Sequence, residues 1–234
     1  MKEISVREML ANAVHFGHKA SHWNPKVKPF IYKKAGDIHL FDLQKTAKYL
    51  KKACEELYRA ARSGKVILFV STKPQTKISL QEFQKETGLP IVVDKWIGGM
   101  LTNIDTMSKR IRFLKDLLEM EKTGEIEKFT KKEQAKLKQE REKLQIAFSG
   151  IMKMHRLPDI VFTIDSRRDV NALKEAKKLG IITIGICDSN ADPDLLDFPI
   201  PGNDDSVSSL KYLLDDFVFQ AIKEGRKFSI KKND

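Results

Sequence analysis

Between residues 91 and 103 the chain changes its hydrophobic period, and that change limits the folds open to it. Residues 91–93 read Ile-Val-Val behind Pro90, a short apolar run of the kind a buried strand makes. The chain then passes Trp96 and Ile97 to Gly98 and Gly99, where the backbone can turn in ways a side chain would forbid. After Thr102 and Asn103, the residues Ile104, Met107, Ile111, Leu114 and Leu118 follow at alternating steps of three and four. That spacing is the seam of helices packed in a coiled coil. One strand of a globular sheet therefore leads through a glycine bend into a helical arm over residues 104–150. Residues 1–103 and 151–224 read as one body that the arm interrupts.

The body alternates strands and helices. Ser5 with Glu8 three residues on forms a capping-box pattern ahead of Val6, Met9 and Leu10. Residues 38–42 are a short strand candidate, and Leu43, Leu50, Cys54 and Leu57 then give an amphipathic helix stopped by Gly64. Residues 65–70 are continuously apolar after Lys65, as in a strand covered on both faces. A helix over residues 74–87 ends at Gly88, and further strands are expected at 91–94, 158–165 and 181–186. A helix at 169–179 separates the last two of these strands. Strand, helix, strand without hairpin turns predicts parallel pairing in a doubly wound α/β sheet. Thr130 and Glu133 predict the cap of the return helix of the arm, whose apolar face is Leu137, Leu144 and Phe148, with Arg141 in a seam position. A last helix follows Ser206, and residues 225–234 read as a basic frayed tail.

Charge narrows the function. Lys and Arg number 43 against 32 Asp and Glu, a net +11 that favours a polyanionic partner, most often nucleic acid. Residues 15–34 are read as irregular, broken by Gly17, Pro25 and Pro29. There Lys19, Lys26, Lys28, Lys33 and Lys34 alternate with Phe16, Trp23, Phe30 and Tyr32. Cations interleaved with flat rings suit backbone phosphates and exposed bases. On the arm, Lys109, Arg110 and Arg112 lie near the root, and Lys131 and Lys132 lie on the return helix. These residues, with Lys19, Trp23, Lys26, Lys28, Lys33 and Lys34, are the candidate RNA contacts.

Catalysis finds less support. Asp94, Asp165 and Asp188 fall at strand ends, where doubly wound folds bind ligands, so the rival reading is a Mg²⁺-dependent α/β enzyme. Against it, no phosphate-binding glycine loop follows any strand, and Asp-Ser-Asn and Asn-Asp-Asp strings are common caps and turns. His15, His18 and His22 are three potential ligands where a structural zinc site wants four, so no metal and no cofactor is expected. Cys54 and Cys187 stand far apart and read as two reduced thiols. No apolar run reaches membrane-spanning or signal-peptide length, so no membrane partner and a cytoplasmic location are expected.

Several strings coincide in order along the chain. They are His-Phe-Gly-His at 15–18 with Trp-Asn-Pro-Lys at 23–26, Asp-Leu-Gln-Lys-Thr at 42–46, Trp-Ile-Gly-Gly-Met-Leu-Thr-Asn at 96–103, Pro-Asp at 158–159 and Pro-Ile-Pro-Gly-Asn-Asp-Asp at 199–205. Together they resemble the ribosomal protein S2 family of the bacterial small subunit, from about residue 5 to residue 224. The resemblance implies a flavodoxin-like sheet with an inserted coiled-coil hairpin. It also implies binding to small-subunit ribosomal RNA between head and body, contacts with neighbouring ribosomal proteins, and help in recruiting ribosomal protein S1, which captures messenger RNA.

Overall fold

The computed structural model describes residues 2–154 and 156–230. Helix α1 is Val6–Ala11, capped by the Ser5 hydroxyl, which accepts from the Glu8 N–H. Strand β1 is Phe16–Lys19, β2 is Ile31–Ala35 and β3 is Ile38–Phe41. Helix α2, Leu43–Arg62, starts where the Asp42 carboxylate accepts from the N–H groups of Gln44 and Lys45. Strand β4 is Ile67–Val70, helix α3 is Pro74–Thr87 and strand β5 is Ile91–Val92. The arm is α4, Ile104–Thr123, and α5, Lys131–Phe148, with the Thr130–Glu133 capping box present in both directions. Strand β6, Ile160–Thr163, helix α6, Val170–Lys178, strand β7, Ile182–Cys187, and strand β8, Phe198–Pro201, complete the body. Helix α7, Val207–Leu213, runs through a π-helical stretch at Leu214–Val218 into α8, Phe219–Ile230. Residues 225–230, read from sequence as frayed tail, thus continue a helix; residues 231–234 lie outside the described residues.

The main sheet is parallel with strand order β5-β4-β6-β7-β8, the 2-1-3-4-5 winding of the flavodoxin-like class. Alternation along β4 sends Ile67 and Phe69 to one face, against α2, α3 and α8, and Leu68 and Val70 to the other. On that second face Leu68, Val70, Val92 and Val161 share one apolar cluster with α6 and with Met107, Leu114, Leu117, Leu144 and Phe148 of the arm. The arm is therefore an outgrowth of the core. Farther out Leu118 and Leu137 are only partly buried, and Arg141 in the seam is met by Glu121 at 3.0 Å.

Three features depart from the sequence reading. The irregular segment at 15–34 contains β1 and β2, which flank β3 in a separate three-stranded antiparallel sheet. Strand β3 consequently pairs there, and not with the parallel sheet. Strand β8 carries no strand signal because Pro199 and Pro201 sit in it. It lies at the sheet edge, paired only with β7, where a missing N–H costs nothing.

Candidate nucleic-acid interface

The small sheet presents its lysines outward. Lys19, Lys28, Lys33 and Lys34 are exposed, and their side chains meet no carboxylate among the described residues. Lys33 lies over the ring of Tyr32, which is itself 69% exposed. Trp23 is half-buried and packs with tilted rings against the buried His39, centroids 4.6 Å apart, so it anchors the segment. Phe30 is buried edge-on against Tyr49. Lys26 is committed to ion pairs with Asp192 and Asp194, both at 2.8 Å, and braces this segment against the loop after β7.

The root of the arm is organised by a residue that carried no sequence signal. The Glu175 carboxylate, on α6, accepts from the Trp96 indole N–H at 3.0 Å and the Gly99 N–H at 2.8 Å through one oxygen. The other oxygen accepts from the N–H groups of Leu101 at 2.9 Å and Thr102 at 3.3 Å. Burial alone would raise its pKa, but the donors of Leu101, Trp96, Gly99 and Thr102 outweigh that and hold it below the usual carboxylate range. Gly99 takes φ +86°, a conformation open to glycine, which lets its N–H face the carboxylate. Beyond this root Lys109, Arg110, Arg112, Lys131 and Lys132 are all exposed and unpaired among the described residues.

Beside the root lies a cleft of about 860 Å³. Its walls carry Lys65, Lys85, Lys115, Lys153, Arg156 and Arg226, and no acidic residue lines it among the described residues. Arg156 pairs with Asp159 at 3.0 Å. These cations come from the amino-terminal end of the sheet, α3, the arm, the segment after it and α8, so no single stretch of sequence announces the cleft.

At the carboxyl ends of the strands the three aspartates of the enzymatic reading do not converge. Asp94 pairs with Lys77 at 2.5 Å. Asp165 accepts from the N–H groups of Arg167 and Arg168 in a turn and meets Lys73 at 3.2 Å. Lys73 is buried, held by Asp204 Oδ1 at 2.6 Å and Asp205 Oδ1 at 2.7 Å. Burial disfavours its charge, but the Asp204 carboxylate more than offsets this and its pKa is raised. Burial, with Asp188 and Asp165 nearby, pushes the Asp204 carboxyl up to about 8. Asp188 instead meets His18, Nδ1 to Oδ1 at 3.1 Å. His15 packs with a tilted ring against Phe16 and His22 is exposed, so His15, His18 and His22 do not form one site.

The sequence profile of ribosomal protein S2 matches residues 9–225. The chain belongs to the ribosomal protein S2 family. It is 45% identical to small ribosomal subunit protein uS2 of a Nitratiruptor species, over 96% of this chain and 84% of that one. It is 43% identical to uS2 of Coprothermobacter proteolyticus, over 97% and 84%, and 44% identical to uS2c of Mesostigma viride, over 97% and 99%. The S2 family is structural and non-enzymatic, with a ribosomal place, in keeping with strand-end aspartates engaged in a turn and in ion pairs. The strings that carry the S2 resemblance are explained by this geometry. Residues 96–102 wrap the Glu175 carboxylate, and residues 199–205 form the edge strand and the acidic partners of Lys73. No helix among the described residues is long and apolar enough to cross a membrane.

Proposed function

We propose that this chain is a constituent of the small ribosomal subunit that binds small-subunit ribosomal RNA between head and body and performs no reaction. The observation that carries this reading is the cleft at the root of the arm, with six cations and no carboxylate on its walls. A duplex RNA backbone is a curved line of phosphates, and a concave cationic wall beside a projecting cationic arm fits it. Lys19, Lys28, Lys33 and Lys34 on the small sheet supply a second contact, and Lys109, Arg110, Arg112, Lys131 and Lys132 on the arm a third. Trp23 and Lys26 hold the small sheet in place for this. Phosphate contacts position without reading sequence, so selectivity comes from RNA shape. Neighbouring ribosomal proteins and the recruitment of ribosomal protein S1 rest on the family resemblance, as does a cytoplasmic ribosome.

The test is affinity for small-subunit ribosomal RNA as a function of KCl. The log–log slope is steep, and Lys85→Gln and Lys153→Gln each reduce it by roughly 0.7 to 0.9. Affinity that stays flat from low to moderate salt overturns the reading.

A further inference from the structure

His18 lies in β1 of the small sheet, Asp188 follows β7, and Asp204 follows β8. One ligand atom from each can be chosen so that all three lie within 4.8 Å of one another. We propose that these three residues bind one divalent transition-metal ion of the zinc or manganese class, which clamps the small sheet to the carboxyl edge of the parallel sheet.

Three observations besides the proximity point to a cation. Asp204 is 1% exposed, and its Oδ2 has no hydrogen-bond partner among the described residues, although Lys73 holds its Oδ1. A buried carboxylate oxygen left unpaired is costly, and a bound cation removes that cost. Second, the surroundings are over-supplied with negative charge. Asp165, Asp188, Asp204 and Asp205 gather around one ammonium, that of Lys73, and one imidazole. Third, the ligands are oriented from outside. His18 Nε2 lies 3.2 Å from Asp205 Oδ2 and Nδ1 lies on the side of Asp188, so with an ion taking the Nδ1 lone pair the Nε2–H donates to the Asp205 carboxylate. A histidine steered by an outer carboxylate is the usual arrangement around a metal-ligating imidazole. Asp188 is itself fixed by the N–H groups of Ser189 at 2.5 Å and Asp204 at 3.2 Å.

Ligand chemistry selects the metal. Two carboxylates alone suit Mg²⁺, but an imidazole nitrogen in the set favours zinc, and the mixed set of one nitrogen and two carboxylates also accommodates manganese. The 3.1 Å between His18 Nδ1 and Asp188 Oδ1 is the spacing of neighbouring ligands on one ion at roughly 2.1 Å from each. His18 keeps 26% of its side chain exposed, which leaves water to complete the coordination.

The experiment uses the full chain, stripped with a chelator, in the absence of RNA, so that it stands apart from the RNA reading. Calorimetric titration with ZnCl₂ and MnCl₂ gives saturable one-to-one binding for at least one of them, and the same ion raises the unfolding temperature. His18→Ala and Asp204→Asn abolish both effects, while Asp205→Asn weakens affinity by about tenfold. Asp204→Asn keeps the shape of the side chain, so its metal-free unfolding temperature reports whether the fold survives. Binding of Co²⁺ in place of the ion gives a visible d–d spectrum that disappears in His18→Ala. Absence of saturable binding overturns the proposal. So does binding that survives both His18→Ala and Asp204→Asn, or MgCl₂ matching ZnCl₂ and MnCl₂ at equal concentration, which denotes an oxygen-only site elsewhere.

Discussion

The backbone N–H of Gly99 donates to the carboxylate of Glu175 at 2.8 Å, and this contact joins the root of the arm to α6. The same carboxylate collects the Trp96 indole and the N–H groups of Leu101 and Thr102. An acceptor shared by this many donors cannot be replaced by an isostere. In Glu175→Gln one oxygen becomes an NH₂ facing N–H groups, donor against donor. Hydrogen bonds to a charged acceptor contribute about 1.5–3 kcal/mol each, and the variant loses on the order of 2–4 kcal/mol in urea unfolding. Hydrogen exchange at residues 97–102 accelerates in parallel. A loss below about 0.5 kcal/mol would show that packing alone holds this loop.

The same carboxylate makes the root sensitive to acid. Its folded pKa lies below the ordinary Glu value of 4.5, so its stabilisation is fully present above about pH 4.5. It is lost as pH falls through the lower folded value. With Trp23→Phe as background, Trp96 is the remaining tryptophan and reports the event by its fluorescence. The emission shifts in that acid window, and the shift is missing when Glu175→Gln is added. An identical acid transition in both proteins assigns the event to another group.

Where the arm returns to the body, space is the constraint. A Cβ built on Gly150 would stand 2.1 Å from the Ile91 carbonyl oxygen in β5, which is backbone and cannot swing aside. Gly150→Ala therefore pushes the end of the arm off the sheet edge and costs about 2–4 kcal/mol. Gly98 is the internal control: nothing lies within 4 Å of where its Cβ would stand and its φ is not positive, so Gly98→Ala stays within about 0.5 kcal/mol. Equal unfolding midpoints for the two variants contradict this account.

Local signals were legible in the sequence and long-range ones were not. Pro74 and Gly88 bound α3 as expected, and Thr130 with Glu133 marks the start of α5, because caps and helix breakers act over a few residues. The parallel strands β4, β6 and β7 show as apolar runs because both faces are covered. Strand β8 hides behind Pro199 and Pro201, whose tolerance depends on having a single neighbour strand. Strands β1 and β2 hide because two 3₁₀ turns and two prolines interrupt the segment that carries them. Glu175 looks like any solvent-facing acid on an amphipathic helix, since its donors lie far away in the chain. The cationic cleft and the His18–Asp188–Asp204 cluster have the same cause, being assembled from segments that only the winding of the sheet brings together.

The outer arm can be separated from its root. Leu118 and Leu137 are partly buried seam residues beyond Leu114 and Leu144, which belong to the core cluster. Placing charge there, as Leu118→Asp with Leu137→Asp, opens the outer half of the hairpin. The root keeps the Glu175 contacts and the close approach of Gly150 to Ile91. Circular dichroism then loses helical signal, while the Trp96 fluorescence and the cooperative unfolding of the sheet are kept. If arm and body grip RNA as two linked sites, losing one removes the gain from linkage, and affinity for small-subunit ribosomal RNA falls on the order of a hundredfold. Incorporation into reconstituted subunits falls with it. Undiminished affinity in a variant with a demonstrably open arm makes Lys131 and Lys132 solvated bystanders and leaves the cleft and the small sheet as the RNA-binding surfaces.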